Sequence, residues 1–394
     1  MPSLLVAVVL LAASLQEARR VDEAVRKGVA YLKTAASPGE EGIPNSDELL
    51  LLTLIHGGVP ASDPRLSQLL ASVLEAPLAR TYKVALQAMA LEELDRVKYQ
   101  TRIFQCAQFL VDNQLRDGMW SYGKPTALPD PPAGTPTPGT ARKPLKSGEA
   151  VDFGAPATGE KPRVERRIPV RRQREADEGG GDHSNSQYAA LGLRACHDAG
   201  IVLPRETLEK AAEAWRRSQV GAGEGEDDDD TPKKGRRVAT PGGAEARGWA
   251  YNGSQSKATG SMTAGAVGAL AIYDSILEKD WKKDAPVVSG LNWLARNFTV
   301  RENPGHGREW HYYYLYALER AGMLTGVEKI GSHDWYAEGA KYLLDHQRAD
   351  GSWPGGEEEE AVWNTCFAIL FLKRSTRPLI DVPSVDRYAP SRPR

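Results

Sequence analysis

The chain has 394 residues, with 50 Lys and Arg against 52 Asp and Glu, a formal net charge of −2 and three cysteines. That balance supplies no field for nucleic acid or an anionic membrane surface, so neither is an expected partner. An odd, sparse cysteine set excludes a disulfide framework; Cys106, Cys196 and Cys366 fall in apolar stretches and read as small buried hydrophobes.

In chain order, the first element is the apolar run Leu4 to Ala13, too short to span a membrane. With Ala12 and Ser14 at its end it reads as a signal peptide over residues 1–18, which predicts an exported protein with no spanning segment after its removal. From residue 21 two kinds of helix alternate. One kind carries Gly-x2-aromatic-Leu, at Gly28-Tyr31-Leu32, Gly290-Trp293-Leu294 and Gly339-Tyr342-Leu343, with Phe109-Leu110 and Trp215 as weaker versions. The glycine lets a neighbouring backbone approach, and the aromatic and Leu share one face.

The other kind begins polar or aromatic and turns apolar within one turn. Its members start at Ser46-Asp47-Glu48, Thr81-Tyr82-Lys83, Asn185-Ser186-Gln187, Met262-Thr263-Ala264, Trp310-His311-Tyr312 and Val362-Trp363-Asn364. A helix apolar on most faces is buried, so these six lie inside and the amphipathic ones outside. The prediction is an all-α fold, an (α/α)6 toroid of six inner and six outer helices over residues 21–375. An open solenoid of helix pairs is the rival, and the apolar inner helices favour closure.

One phrase occurs twice: Phe109-Leu110…Gln114-x3-Gly118-x-Trp120 and Tyr342-Leu343…Gln347-x3-Gly351-x-Trp353. Gln can hold free backbone groups near a helix end, Gly makes the turn and Trp packs back. This phrase resembles the QW repeat of the squalene–hopene cyclase and protein prenyltransferase superfamily. The resemblance implies the toroid and a terpenoid, lipid or isoprenoid-like ligand.

Two insertions, residues 123–182 and 220–247, and the Pro-rich tail 376–394 lack a hydrophobic period. Both insertions read as disordered or loosely packed loops on the rim where the inner helices start. The second contains Asp227-Asp-Asp229-Asp230-Thr231, which formally satisfies the acid motif Asp-x-Asp-Asp-Thr of the cyclases. An alkene-protonating Asp needs a desolvated site with a raised pKa. This run is followed by Pro-Lys-Lys-Gly-Arg-Arg and reads as a solvated charge run. No Asp-x-Cys lies beside a matching His, so no metal or cofactor is expected.

Stacking the six inner helices by sequence places ionisable groups at one mouth. Asp47, Glu48, Lys83 and His311 are the candidate catalytic residues, with His311 the proton carrier suited to neutral pH. Gln187, Thr263, Tyr312, Trp363 and Asn364 share those levels, and Trp249, Tyr251 and Trp310 flank them, as candidate ligand contacts. A polar mouth over an apolar interior suits a hydrophobic or amphiphilic small molecule. The alternatives are a non-catalytic binding or interaction module on the same fold, or a carbohydrate-active (α/α)6 enzyme. The last needs two facing carboxylates, for which Asp47, Glu48 and Glu309 are available.

Overall fold

The computed structural model describes residues 2–35, 47–126, 128, 134–135, 161–172, 174–175, 180–220, 245–252, 255, 257–354 and 358–379. The outer helices are α1 (Pro2–Thr34), α3 (Pro64–Glu75), α5 (Gln100–Asp112), α7 (Arg205–Arg217), α9 (Ala285–Arg296) and α11 (Trp335–His346). They alternate with the inner helices α2 (Asp47–His56), α4 (Thr81–Asp95), α6 (His183–Asp198), α8 (Gly260–Ile276), α10 (His311–Thr325) and α12 (Glu358–Leu372).

Each inner helix packs against the next, and α12 packs against α2. That last contact closes the ring and excludes the open solenoid. Residue chemistry sorts the two layers. In α7, Leu208, Ala211, Ala212 and Trp215 are buried while Arg205, Glu206, Glu209, Glu213 and Arg217 face solvent. In α8 every residue except Ser275 is buried. Helix starts are fixed locally, as where the Asp63 side chain accepts from Arg65 N with Pro64 opening α3, and where Asp182 accepts from Asn185 N to open α6.

The repeated phrase acts as a clamp between successive outer helices. Gln114 Nε2 donates to Gly118 O (3.1 Å) and to Thr207 O in α7 (2.9 Å). Gln347 Nε2 donates to Gly351 O (2.9 Å) and to Ala24 O in α1 (2.8 Å). Gly118 and Gly351 sit at φ +96° and +93°, and a Cβ on either would lie 2.4 Å from a carbonyl of the next outer helix, Lys210 O or Lys27 O. Backbone conformation and backbone approach both require glycine there.

The tryptophans repeat as well. Trp120 Nε1 donates to Leu110 O and Trp353 Nε1 to Leu343 O, each at 2.8 Å. Their backbone N–H groups donate to Ser186 Oγ and Thr365 Oγ1 of the following inner helix. A third site shows the same arrangement. Trp249 Nε1 donates to Trp215 O (2.8 Å), Trp249 N to Thr263 Oγ1 (3.0 Å), and Gln219 Nε2 to Pro286 O (3.0 Å) at the start of α9.

Part of the first insertion corrects the expectation of a loose loop on one rim. It is joined to the C-terminal ends of α4 and α6, the opposite rim, where Lys161 Nζ donates to Glu92 O (2.9 Å) and Arg96, which also donates to Asp198 O, donates to Pro162 O (2.8 Å). It then follows α5. Gln100 Nε2 donates to Val164 O (2.8 Å), Gln108 Nε2 to Pro169 O (2.9 Å), and Arg171 N to Asp112 Oδ1 (3.0 Å). On the way β1 (Arg166–Arg167) pairs in parallel with β2 (Ile201–Val202). Residues 161–172 are thus a strap across the height of the ring.

The two ends of the second insertion meet where Val220 N donates to Gly248 O (3.0 Å). Its acidic run Asp227–Asp230 lies outside the described residues, as does the tail from residue 380. The first residues of the tail are packed: Thr376, Arg377 and Pro378 contact α10, α4 and α6. The backbone of α1 is helical from Pro2, and among the described residues no helix is long and apolar enough to cross a membrane.

Candidate functional site: an aromatic centre with a buried arginine

The clamp decides which face of each inner helix looks at the axis. Ser186, Thr263 and Thr365 hold tryptophan N–H groups from the outer layer, so they face outward. Two residues further on, about 200° around the helix, lie Tyr188, Gly265 and Phe367. These face the axis. Tyr188 packs on Tyr82 of α4 (ring centroids 4.1 Å) and on Tyr313 of α10 (6.1 Å), and Phe367 packs on Tyr313 (5.6 Å) and Tyr316 (5.8 Å).

Among these rings sits Arg320 of α10, 2% exposed. Its guanidinium carbon lies 4.2 Å from the Tyr316 ring centroid and 5.2 Å from that of Tyr188, a cation–π arrangement on two faces. Its Nη2 donates to Gln187 Oε1 (2.7 Å), Gln187 Nε2 donates to Tyr313 Oη (2.7 Å), and Tyr313 Oη pairs with Ser184 Oγ (2.9 Å). A polar chain therefore runs from the half-buried Ser184 at the mouth to the guanidinium at the centre. Gly265 makes room for it, since a Cβ there would lie 2.4 Å from Gln187 Oε1.

The mouth carries a pair of tryptophans. Trp310 is 48% exposed and adopts a left-handed backbone (φ +54°) at the start of α10, where most residues would be strained. Its ring stacks on Trp363 (6.1 Å, interplanar 22°) and meets Tyr313 edge-on (6.2 Å). The opposite end is closed by residues 373–379. Glu319 accepts from Thr376 N (2.9 Å) and Thr376 Oγ1 (2.7 Å), and Arg194 Nη2 donates to Pro378 O (3.0 Å). Burial pushes the Glu319 carboxyl up to about 7 despite those two donors.

Of the sequence candidates, Gln187, Trp310 and Trp363 belong to this constellation. His311 does not. It occupies the outward level of Ser186 and Thr263, its Nε2 contacts Val300 O (2.9 Å), and its ring meets Tyr342 of α11. Burial lowers its pKa to about 4, so it is neutral at pH 7 and unsuited to carrying a proton there. Tyr312 shares that side, where the Tyr342 phenol adds to the effect of burial in raising its pKa.

Thr263 and Trp249 are clamp residues, both 0% exposed, and their contacts are those of the repeat. Asp47 accepts from Ser72 of the outer helix α3 (3.0 Å). Glu48 is buried close enough to Cys106 of α5 to help burial push that thiol up to about 12. Lys83 is half-buried, one residue past the axis-facing Tyr82. Asn364 donates to Pro354 O (2.9 Å), and Tyr251, half-buried, accepts from His183 N through its carbonyl. Glu309 is exposed beside His306 (3.3 Å). The structure brings no two of Asp47, Glu48 and Glu309 together across the axis.

Sequence reasoning missed Tyr188, Phe367 and Arg320; Tyr313 and Tyr316 stand out in the sequence as part of an aromatic cluster with Trp310, Tyr312 and Tyr314 but were not among the candidate contacts. The signal was present: a lone Glu319-Arg320 pair interrupts an otherwise apolar helix from Leu315 to Leu324.

These features define a closed α/α-ring protein whose axis is aromatic and cationic and whose tryptophan-marked mouth faces solvent. No protein-family model matches the chain, and no curated protein matches it. Among solved structures, variants of the type II terpene cyclase MstE from Scytonema are similar. The apo form is 10% identical with a TM-score of 0.47, over 92% of this chain and 98% of that one. A complex with its substrate geranylgeranyl dihydroxybenzoate is 11% identical with a TM-score of 0.48, over 92% and 98%.

Proposed function

We propose that the protein binds a hydrophobic or amphiphilic small molecule, of lipid or isoprenoid type, at the axis of the ring, entering past Trp310 and Trp363. The observation that carries this reading is the continuity from the exposed, strained Trp310, stacked on the half-buried Trp363, to a fully buried aromatic axis. Apolar walls with a few placed polar groups are what such ligands require. The expectation of export belongs to this proposal too, because a lipid-type ligand outside the cytoplasm needs a carrier or a processing site.

Binding is the part that the geometry supports. Two of the described carboxylates on inner helices are committed elsewhere, Glu319 to Thr376 and Asp47 to Ser72 of an outer helix. A binding or carrier role therefore stands ahead of cyclisation, and the absence of a facing carboxylate pair among Asp47, Glu48 and Glu309 places a glycosidase role behind both.

Titration with farnesol and geranylgeraniol, read by tryptophan emission, tests the reading. Saturable quenching is expected, and Trp310→Ala and Trp363→Ala should weaken binding about tenfold each by removing aromatic contact area. Saturable binding of oligosaccharides with no response to either isoprenoid would overturn it.

A further inference from the structure

We infer that Arg320 is an anion-recognition group, and that the molecule bound at the axis carries a carboxylate or phosphate. This rests on the reading that the axis takes an amphiphile, and it names the ligand's polar end. Arg320 is buried at 2% exposure, yet among the described residues no carboxylate is in an ion pair with it, and Glu319 acts on it only at a distance. The neighbouring Glu319 is turned to Thr376, a step of about 100° around the helix. One guanidinium nitrogen, Nη2, is used on the neutral Gln187. A second, Nη1, is buried without a hydrogen-bond partner.

Two more polar atoms in the same cluster share that condition. The hydroxyls of Tyr82 (2% exposed) and Tyr188 (0%) are buried with no hydrogen bond of ordinary geometry; they interact with each other, and Tyr188 with Arg320, only at longer range. Buried polar groups are almost always satisfied. Three of them converging, one a permanent cation and two phenols able to donate, ask for an acceptor with negative charge and more than one lone pair. A carboxylate or phosphate oxygen has that chemistry. The cation–π contacts with Tyr188 and Tyr316 hold the guanidinium plane in place while leaving Nη1 available.

The polar chain Ser184–Tyr313–Gln187 then has a second role. It fixes the carboxamide so that its oxygen faces Arg320, which orients the guanidinium edge.

The test uses the purified full chain and calorimetric titration with geranylgeranoic acid, geranylgeraniol, acetate and inorganic phosphate. The acid should bind about 10- to 100-fold tighter than the alcohol, the range that one charged hydrogen bond supplies. Arg320→Met should erase that preference. Because Arg320→Met exchanges a buried charge for an apolar chain, its fold is checked by circular dichroism. Tyr188→Phe and Tyr82→Phe, which remove one hydroxyl each and keep the ring, should lower acid affinity severalfold more than alcohol affinity.

Equal affinity for acid and alcohol would overturn the inference while leaving the amphiphile reading intact. Arg320-dependent binding of acetate or phosphate with neither isoprenoid bound would sustain the anion group and sink the amphiphile reading. No binding of any of the four would overturn both.

Discussion

Gln347 Nε2 donates to Ala24 O across 2.8 Å, so a side chain near one end of the ring domain holds a backbone carbonyl near the other. The same residue type at Gln114 reaches Thr207 O at 2.9 Å between successive outer helices, α5 and α7. One device thus serves both as an ordinary link and as the seam that closes the ring.

Removing that link should cost stability at the seam. Gln347→Ala leaves two part-buried carbonyls, Ala24 O and Gly351 O, without this donor. A loss of about 1–3 kcal/mol is expected in urea unfolding. Hydrogen exchange should rise in α1 and α11 rather than throughout. Exchange rising equally in every helix would show that the seam is not where the bond acts.

The three clamp tryptophans should behave alike, and unlike the mouth. Trp120, Trp249 and Trp353 are each 0% exposed, whereas Trp310 is 48% exposed. Truncating Trp249 or Trp353 to Ala should cost about 3–5 kcal/mol. Trp310→Ala should change thermal stability by less than about 1 kcal/mol while weakening ligand binding. A Trp249→Ala protein of normal stability that had lost only ligand affinity would return Trp249 to the ligand contacts.

Stability should depend on pH in two opposing ways. His183 and His311 titrate at about 4 in the folded chain because burial disfavours their charged forms. The unfolded chain takes up these protons near pH 6.5, so stability falls as pH drops from about 6.5 toward 4. Glu319 has the reverse sign. Its carboxyl is raised to about 7, so the folded chain holds a proton that the unfolded chain releases near the ordinary value of 4.5. Its contribution is present below that value and is lost as pH rises toward 7. Glu319→Gln should therefore steepen the acid-side loss, measured as unfolding midpoints between pH 4.5 and 6.5. An unchanged slope would contradict the assignment.

The ring was legible because its clamp is written at constant spacing, Gln-x3-Gly-x-Trp, at both 114–120 and 347–353. The third clamp was hidden, since an insertion separates Gln219 from Trp249 and breaks the phrase. The sequence alignment and the structure differ at the mouth for a geometric reason. Aligning helix starts selects the capping turn, and the level of Ser186, Thr263 and His311 faces the outer layer. The axis-facing side lies two residues on, and α12 was set two residues too early, at Trp363 rather than Thr365. The strap at 161–172 left no trace in the sequence because an extended segment held by other elements' side chains needs no period of its own.

The central claim, that the ligand sits on the axis-facing set, is tested most directly by photo-crosslinking. A geranylgeranyl probe bearing a diazirine, irradiated on the full chain and mapped by peptide mass spectrometry, should label Tyr188, Tyr313, Tyr316 or Phe367, with competition by unlabelled geranylgeraniol. Labelling concentrated on the outward side, at His311, Tyr312 or Tyr342, with the axis peptides unmodified, would contradict the account.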